Sequence, residues 1–190
     1  MPTLDLAHYD CLGADLRSLR KSRGLTLSYL ANAVGKSVGW LSQVERNLSE
    51  PSIDDLRDLA KNLEIPISML FGQAKAAPEE IGFIVRQGAR RSIGSKEAGL
   101  LEELLSPDLT DDFEVVHSTF IPGAKLAKPV SRPTQEVGYL ISGKLDLTIE
   151  GKCFTIKPGD GFRIRGEAFK YANPYKEPAV AIWVIAPPVY

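Results

Sequence analysis

The chain has 190 residues, 44% of them apolar and 25% charged, a composition that suits one or two globular domains and excludes a disordered or collagen-like polymer. No apolar run approaches the ~18 residues that a membrane span needs, and Met1 to Asp10 carries acids in place of a signal peptide's basic start and apolar core, so a cytoplasmic location without membrane association is expected. The formal net charge of −1 argues against a protein that coats nucleic acid by bulk charge alone, unless the charges are segregated along the chain.

They are segregated. From Arg17 to Arg46 six basic residues (Arg17, Arg20, Lys21, Arg23, Lys36, Arg46) stand against one acid, Glu45, whereas Glu50 to Glu64 holds five acids and two bases. One face of a small domain is therefore free to be positive, which is what phosphate contact requires, although a solvated helical surface would carry the same pattern. Cys11 and Cys153 lie far apart with no Cys-x-x-Cys spacing, which suggests neither a disulfide framework nor a zinc ribbon and leaves two ordinary thiols.

Up to Phe71 the apolar residues recur at helical spacing: Leu12, Leu16 and Leu19; Leu27, Leu30, Ala31 and Val34; Leu41 and Val44; then Ile53, Leu56, Leu59, Ala60 and Leu63. Gly24 before Thr26, Gly35 before Ser37, Pro51 before Ser52, and Pro66 before a last turn ending at Phe71-Gly72 mark the boundaries, so five short helices are expected over residues 1 to 72. Gln73 to Glu80 is small, charged and proline-bearing, with no apolar face to bury, and reads as a linker.

From residue 81 to 190 the period changes. Leu100 to Leu105 is expected to form a brief helical turn. Val115 to Ile121, Glu136 to Ile141, Lys144 to Ile149, Cys153 to Ile156, Gly161 to Ile164 and Ala179 to Ile185 are short β-branched or aromatic runs. Pro122-Gly123, Ser142-Gly143, Glu150-Gly151, Pro158-Gly159-Asp160 and Asn173-Pro174 punctuate them, and such spacing predicts a β-sandwich or barrel.

The helices at 26 to 34 and 37 to 46, joined by a tight turn at Gly35, have the lengths of a helix-turn-helix, a pair that many helical bundles also contain. The stretch from Arg20 to Ala31, followed by Trp40-Leu41-Ser42-Gln43-Val44-Glu45-Arg46 and Pro51-Ser52-Ile53-Asp54-Asp55-Leu56, resembles the phage-repressor-like (XRE-type) helix-turn-helix family over about residues 13 to 72. The resemblance implies that Arg20 and Glu45 form a buried ion pair between the first and third helices, a structural role. It also implies that Ser37 caps the recognition helix and touches phosphate, while Val38, Gly39, Trp40, Ser42 and Gln43 face the groove. Gln43 is the best base reader, since its amide pairs bidentately with adenine; Val38 offers apolar contact to a thymine methyl, and Gly39 lets the backbone approach. Trp40 has two readings, against the sugar-phosphate backbone or packed on the preceding helix. Leu27 stands where the family often has a phosphate-binding glutamine, and Arg17, Lys36, Arg46 and Asn47 are candidates to compensate.

In the second half Gly123, Pro129-Val130-Ser131, Glu136 and Gly143, then Pro158-Gly159-Asp160-Gly161 and Phe169-Lys170-Tyr171-Ala172-Asn173, resemble the two cupin motifs in register, over about Glu114 to Ile185. Metal-binding cupins carry histidines where this chain has Pro129, Ser131 and Phe169. Of that ligand set only Glu136 remains, so the resemblance implies a barrel with no metal, no cofactor and no catalytic residue. His8 and His117, the chain's two histidines, occupy no motif position.

A metal-free barrel still encloses a pocket. With Glu136 pointing inward, strand parity sends Gly138 and Leu140 the same way, and pairs Phe169 with Tyr171. Ser131, Gln135 and Trp183 are further candidates. Arg163 and Arg165 share a face: if interior, they suit a carboxylate or sulfonate ligand; if exterior, they are solvated or interfacial. Regulators that join these two modules form a recognisable family, and the resemblance implies a homodimer that reads a roughly palindromic operator, as a repressor more than an activator, while the barrel senses a metabolite. Two other readings stay open: a barrel that only dimerises, with its interior filled by side chains, and a barrel that keeps a cupin enzyme's activity at Glu136.

Overall fold

The computed structural model describes residues 12–65, 67–70, 77–80, 82–93, 99–107, 109 and 111–189. Its contacts divide the chain into two compact units, a helical one reaching to Arg91 and a β-rich one built from Ser92–Ser106 and Asp111–Val189. The helical unit thus runs past the linker expected at 73 to 80, and Pro78–Glu80 within that stretch forms a 3₁₀ turn. Residues 73–76 of it, like His8 and Cys11, lie outside the described residues.

The helical unit holds α1 (Leu12–Ser22), α2 (Leu27–Ala33), α3 (Val38–Val44) and α4 (Ile53–Asn62). Each of the last three begins where a hydroxyl satisfies a free backbone N–H: Thr26 accepts from Tyr29 N, Ser37 from Trp40 N and Ser52 from Asp55 N. At Ser52 the Asp55 carboxylate also accepts from the Ser52 N–H, closing a capping box. Leu16, Leu19, Leu30, Leu41, Leu56, Leu59 and Leu63 are fully buried and make the core, so the leucine period places one stripe of every helix inward. Where a fifth helix is expected, Ile67–Met69 makes a single 3₁₀ turn, with Leu70 N bonded to Ile67 O. Burying Met69 and Leu70 needs only that turn, and three residues are too few for an i to i+4 ladder.

Among the described residues nine strands follow, the first beginning at the boundary residue Arg91: β1 (Arg91–Ile93), β2 (Leu100–Leu104), β3 (Glu114–Phe120), β4 (Gln135–Ser142), β5 (Leu145–Ile149), β6 (Lys152–Ile156), β7 (Gly161–Arg165), β8 (Phe169–Ala172) and β9 (Ala179–Ala186). They make a six-stranded sheet, β1-β2-β3-β9-β4-β7, and a three-stranded sheet, β6-β5-β8. Burial alternates along β3, β4 and β9, so each presents one face to the interior and one outward. The helical turn expected at Leu100 to Leu105 is instead β2, antiparallel to β3 with Leu100 opposite Phe120 and Leu104 opposite Val116. Two adjacent leucines fit either period, and cross-strand pairing decides against local propensity.

Turn chemistry holds the strands in register. Gly143 has φ +74 and a Cβ there would fall 2.3 Å from Pro178 O, so no other residue fits that corner. Gly138 lies under the Phe162 ring, which a Cβ would approach to 2.0 Å. Asn173, 1% exposed, donates from Nδ2 to the carbonyls of Phe120 and Glu177 at 2.8 and 2.9 Å, tying the loop after β8 to the end of β3.

Candidate functional site

Two places concentrate candidate residues, and the first is α3. Leu41 and Val44 anchor it in the core, while Val38, Gly39 and Gln43 are exposed and Trp40 and Ser42 half-buried. Its buried stripe therefore leaves the other side of the helix outward, led by the capping residue Ser37, also exposed. The helix is held by a buried bidentate ion pair: Arg20 Nε donates to Glu45 Oε1 at 2.6 Å and Arg20 Nη2 to Glu45 Oε2 at 2.9 Å. The Glu45 hydrogen bond pushes the Arg20 guanidinium above its ordinary range, against the opposing effect of burial.

The flanking cations are disposed unequally. Arg17 is exposed on α1, and Arg46 is exposed with its Nε donating to Ser42 O at 3.0 Å. Lys36 sits 2.7 Å from Asp55 Oδ1 and 5.1 Å from the centre of the Trp40 ring. Trp40 is thus half-buried beneath an ammonium, a cation–π contact. Burial pushes the Asp55 carboxyl up, but the hydrogen bonds from Lys36 and Ser52 outweigh it and hold the group below its usual range.

Asn47 makes a contact inside the helical unit. It has φ 55, a left-handed position that asparagine tolerates at a helix end, and its Oδ1 accepts from Gly13 N at 2.8 Å. A Cβ on Gly13 would lie 2.4 Å from Val44 O, so α1 and the end of α3 meet backbone to backbone there. The Asn47 carbonyl is committed to that junction, so the residue closes the end of α3 onto α1.

The second place is the interior of the β unit, where a partly open cavity of about 100 Å³ remains. Phe120, Phe169, Tyr171 and Trp183 wall it, with Leu100, Leu126, Val130 and Ile185 beside them. Phe120 meets Tyr171 edge to face at 4.8 Å and Phe162 meets Trp183 at 4.7 Å. Three charged residues complete the lining: Glu136, Glu102 and Arg132.

Glu136 is 1% exposed. Its Oε1 accepts from the Thr134 hydroxyl at 2.8 Å, while its Oε2 and the Trp183 Nε1 are buried with no hydrogen-bond partner among the described residues. Glu102 accepts from the Ser118 hydroxyl at 3.4 Å. Burial pushes the Glu102 carboxyl up, opposed by the Arg132 charge and the Ser118 hydroxyl and reinforced by Glu136. Behind the cavity Glu114, 1% exposed, is pushed by burial up to about 7, with Glu102 and Glu136 adding to the rise and the Val189 N–H and Arg132 opposing it. Burial likewise raises the Tyr171 hydroxyl, with Glu102 adding to it.

Of the barrel residues singled out in the sequence, the structure gathers Glu136, Phe169, Tyr171 and Trp183 around one cavity and leaves four outside it. Arg163 and Arg165 are exposed; Arg163 pairs with Val137 and Arg165 with Gln135, all four on the outer face of the six-stranded sheet, so the interior alternative for the two arginines is overturned. Gln135 and Arg165 edge an open surface depression. Ser131 is exposed, its hydroxyl donating to Gly166 O at 2.8 Å. Sequence reasoning missed Glu102, because its segment was read as helix, and Arg132, which no motif marks.

The positions that bear histidine in metal-binding cupins do not fit a first-row metal: Phe169 has no donor, Ser131 is committed to a backbone carbonyl, and Glu136 is the one carboxylate of the set. Among the described residues no group of three or more His, Cys, Asp or Glu side chains is placed to hold an ion. His117 faces outward on β3, with its Nδ1 3.9 Å from Glu103 Oε2, and Cys153 is an exposed free thiol. No described helix is long and apolar enough to cross a membrane.

Residues 16–70 match the helix-turn-helix family model and residues 116–185 the cupin domain model. The chain is 29% identical to the HTH-type transcriptional regulator SutR of Escherichia coli (strain K12) over 157 residues, 82% of this chain and 83% of that protein. It is 24% identical to the HTH-type transcriptional regulator PuuR of the same strain over 153 residues, 80% of this chain and 81% of that one. With the HTH-type transcriptional regulator DdrOP3 of Deinococcus deserti it shares 32% identity over 93 residues, 49% of this chain and 70% of that one. The first match spans α1 to α4 and the second spans β3 to β9, and the chain belongs to the phage-repressor-like helix-turn-helix transcriptional regulators, carrying a cupin domain.

Proposed function

We propose that this DNA-binding regulator occupies a roughly palindromic operator as a homodimer, acts as a repressor, and changes its operator affinity when the barrel binds a small metabolite. In this reading Gln43 reads a base edge, Val38 and Gly39 allow close approach, Ser42 and Trp40 flank them, and Ser37, Arg17, Lys36 and Arg46 meet phosphate. α3 has seven residues, about 10 Å of helix at 1.5 Å per residue, enough to read one half-site; a second copy supplies the other.

The observation that carries the sensing part is the cavity with a buried, unpartnered carboxylate oxygen on Glu136. A barrel that only dimerises fills its interior with side chains, so the cavity weighs against that reading. A second copy has a surface to use: Val137, Tyr139, Ile141 and Val184, each at least 40% exposed, share the outer face of β4 and β9, with Val137 opposite Val184.

The test is binding of the purified chain to the DNA upstream of its own gene at two salt concentrations, with a panel of small amines, carboxylates and sulfonates. Tight binding that weakens with salt and changes with one compound supports the reading. Salt-sensitive binding that no compound changes would reduce the barrel to a dimerisation module. Sedimentation of the free protein as a monomer at micromolar concentration would remove the dimer, and a reporter behind that DNA that falls when the gene is deleted would reverse the sign.

A further inference from the structure

We infer that the barrel cavity takes a small organic ammonium ion, held by the Glu136 and Glu102 carboxylates between aromatic walls. This rests on the sensing reading above and names the class of its ligand.

The charge of the cavity comes first. Its lining has two acidic side chains, Glu102 and Glu136, against one guanidinium, Arg132, which is itself exposed. Arg163 and Arg165, the residues that would have welcomed an anion, face outward. An entering anion would meet Arg132 but would have to approach two carboxylates in surroundings of low dielectric, where like charges repel strongly.

Hydrogen bonding points the same way. The Glu136 side chain is 1% exposed, one oxygen is satisfied by Thr134, and the other has no partner among the described residues. A buried acceptor left unmade is costly, and a carboxylate more so than a neutral oxygen. What it lacks is a donor, and an ammonium brings up to three. The unpartnered Trp183 Nε1 is a donor that an ammonium does not satisfy, and it falls to a water or to an acceptor elsewhere on the ligand.

The walls and the size narrow the class. Phe120, Phe169, Tyr171 and Trp183 present ring surfaces of the kind that attract organic cations, and Leu100, Leu126 and Val130 suit an aliphatic stem. A cavity of about 100 Å³ is smaller than the ~150 Å³ one that holds benzene, so the enclosed part of the ligand is an ammonium headgroup on a short chain, with anything longer leaving through the open side.

The experiment is isothermal titration of the full-length protein with three compounds of nearly one shape and different charge: 1-aminobutane, 1-butanol and butyrate. The amine is expected to bind saturably, the alcohol at least about tenfold more weakly and butyrate not at all. Glu136→Gln, which keeps the acceptor for Thr134, should weaken the amine by about 10- to 100-fold, the range for one charge-assisted hydrogen bond, and abolish its advantage over the alcohol. Thermal unfolding checks that this variant folds; if it does not, Glu102→Gln, at the half-buried partner, carries the test with the same direction. Butyrate or butanesulfonate binding in place of the amine would overturn the ammonium assignment and leave a sensor for anions. Binding of none of them by protein that still holds DNA would overturn the sensing reading along with it.

Discussion

Replacing Glu114 with glutamine is expected to raise the stability of the barrel above neutral pH and to leave it nearly unchanged in acid. The carboxyl is 1% exposed, has one long hydrogen bond from Val189 N at 3.3 Å and leaves Oε2 unpartnered, so the fold favours its protonated form. Burial pushes it from the ordinary 4.5 up to about 7. A group with a raised folded-state value contributes stability that is fully present below about 4.5 and is lost as pH rises through about 7. At about 1.4 kcal/mol per pH unit the loss comes to about 3 kcal/mol. Glutamine keeps the shape, stays neutral throughout, and removes the dependence. Thermal or urea unfolding followed by circular dichroism at pH 5 and pH 8 measures this directly. The variant should gain up to about 3 kcal/mol over the parent at pH 8, with Glu102, raised in the same direction by burial, leaving some pH dependence behind. Equal destabilisation at both pH values would show that the fold holds Glu114 as an anion and would refute a burial-raised carboxyl.

Gln43→Ala should cost about 1–3 kcal/mol at a cognate operator and relax preference at one base pair, measured by fluorescence anisotropy on single-base operator variants; unchanged preference would move the base reader elsewhere on α3. Arg17→Ala should weaken all DNA sequences alike and flatten the salt dependence by about one phosphate contact. Glu45→Gln leaves Arg20 buried beside a neutral partner and should destabilise the helical unit by about 3–5 kcal/mol, whereas replacing both Arg20 and Glu45 with methionine should recover most of that loss in a urea titration. Gly138→Ala places a methyl 2.0 Å from the Phe162 ring and should cost about 1–3 kcal/mol, with Phe162→Leu restoring part of it.

The helical half was legible to the extent that local chemistry decides it. Thr26, Ser37 and Ser52 are caps because a hydroxyl ahead of an apolar stripe has free N–H groups to satisfy, and all three act so. The fifth helix was misjudged where the apolar run before Phe71 is short and buried, since burial asks for contact and not for helix. The structural bond of Asn47 was not legible, because nothing local marks a side chain that bonds to Gly13, 34 positions away. In the barrel, parity from Glu136 correctly turned Gly138 and Leu140 inward. It gave no sign for Arg163, whose strand was read without its partner: the register Val137 to Arg163 is what sends that side chain out.

Two features of the barrel are linked. Taking Leu100–Leu105 as a helical turn removes Glu102 from the barrel wall, and without Glu102 the visible ionisable groups near Glu136 are the arginines at 163 and 165, which suggest an anionic ligand. Once β2 pairs with β3, Glu102 stands opposite Ser118 with its carboxylate on the cavity, and the arginines leave for the surface. The sign of the ligand's charge therefore depends on whether five residues form a strand or a turn. In a metal-binding cupin the charge of a bound ion would compensate the carboxylate at Glu136. Here the imidazole positions hold Pro129, Ser131 and Phe169, and compensation falls to Arg132 and to whatever enters the cavity. On the ammonium assignment, an acid in the place of a metal ligand, with no imidazole beside it, is what would draw a cation into this cavity.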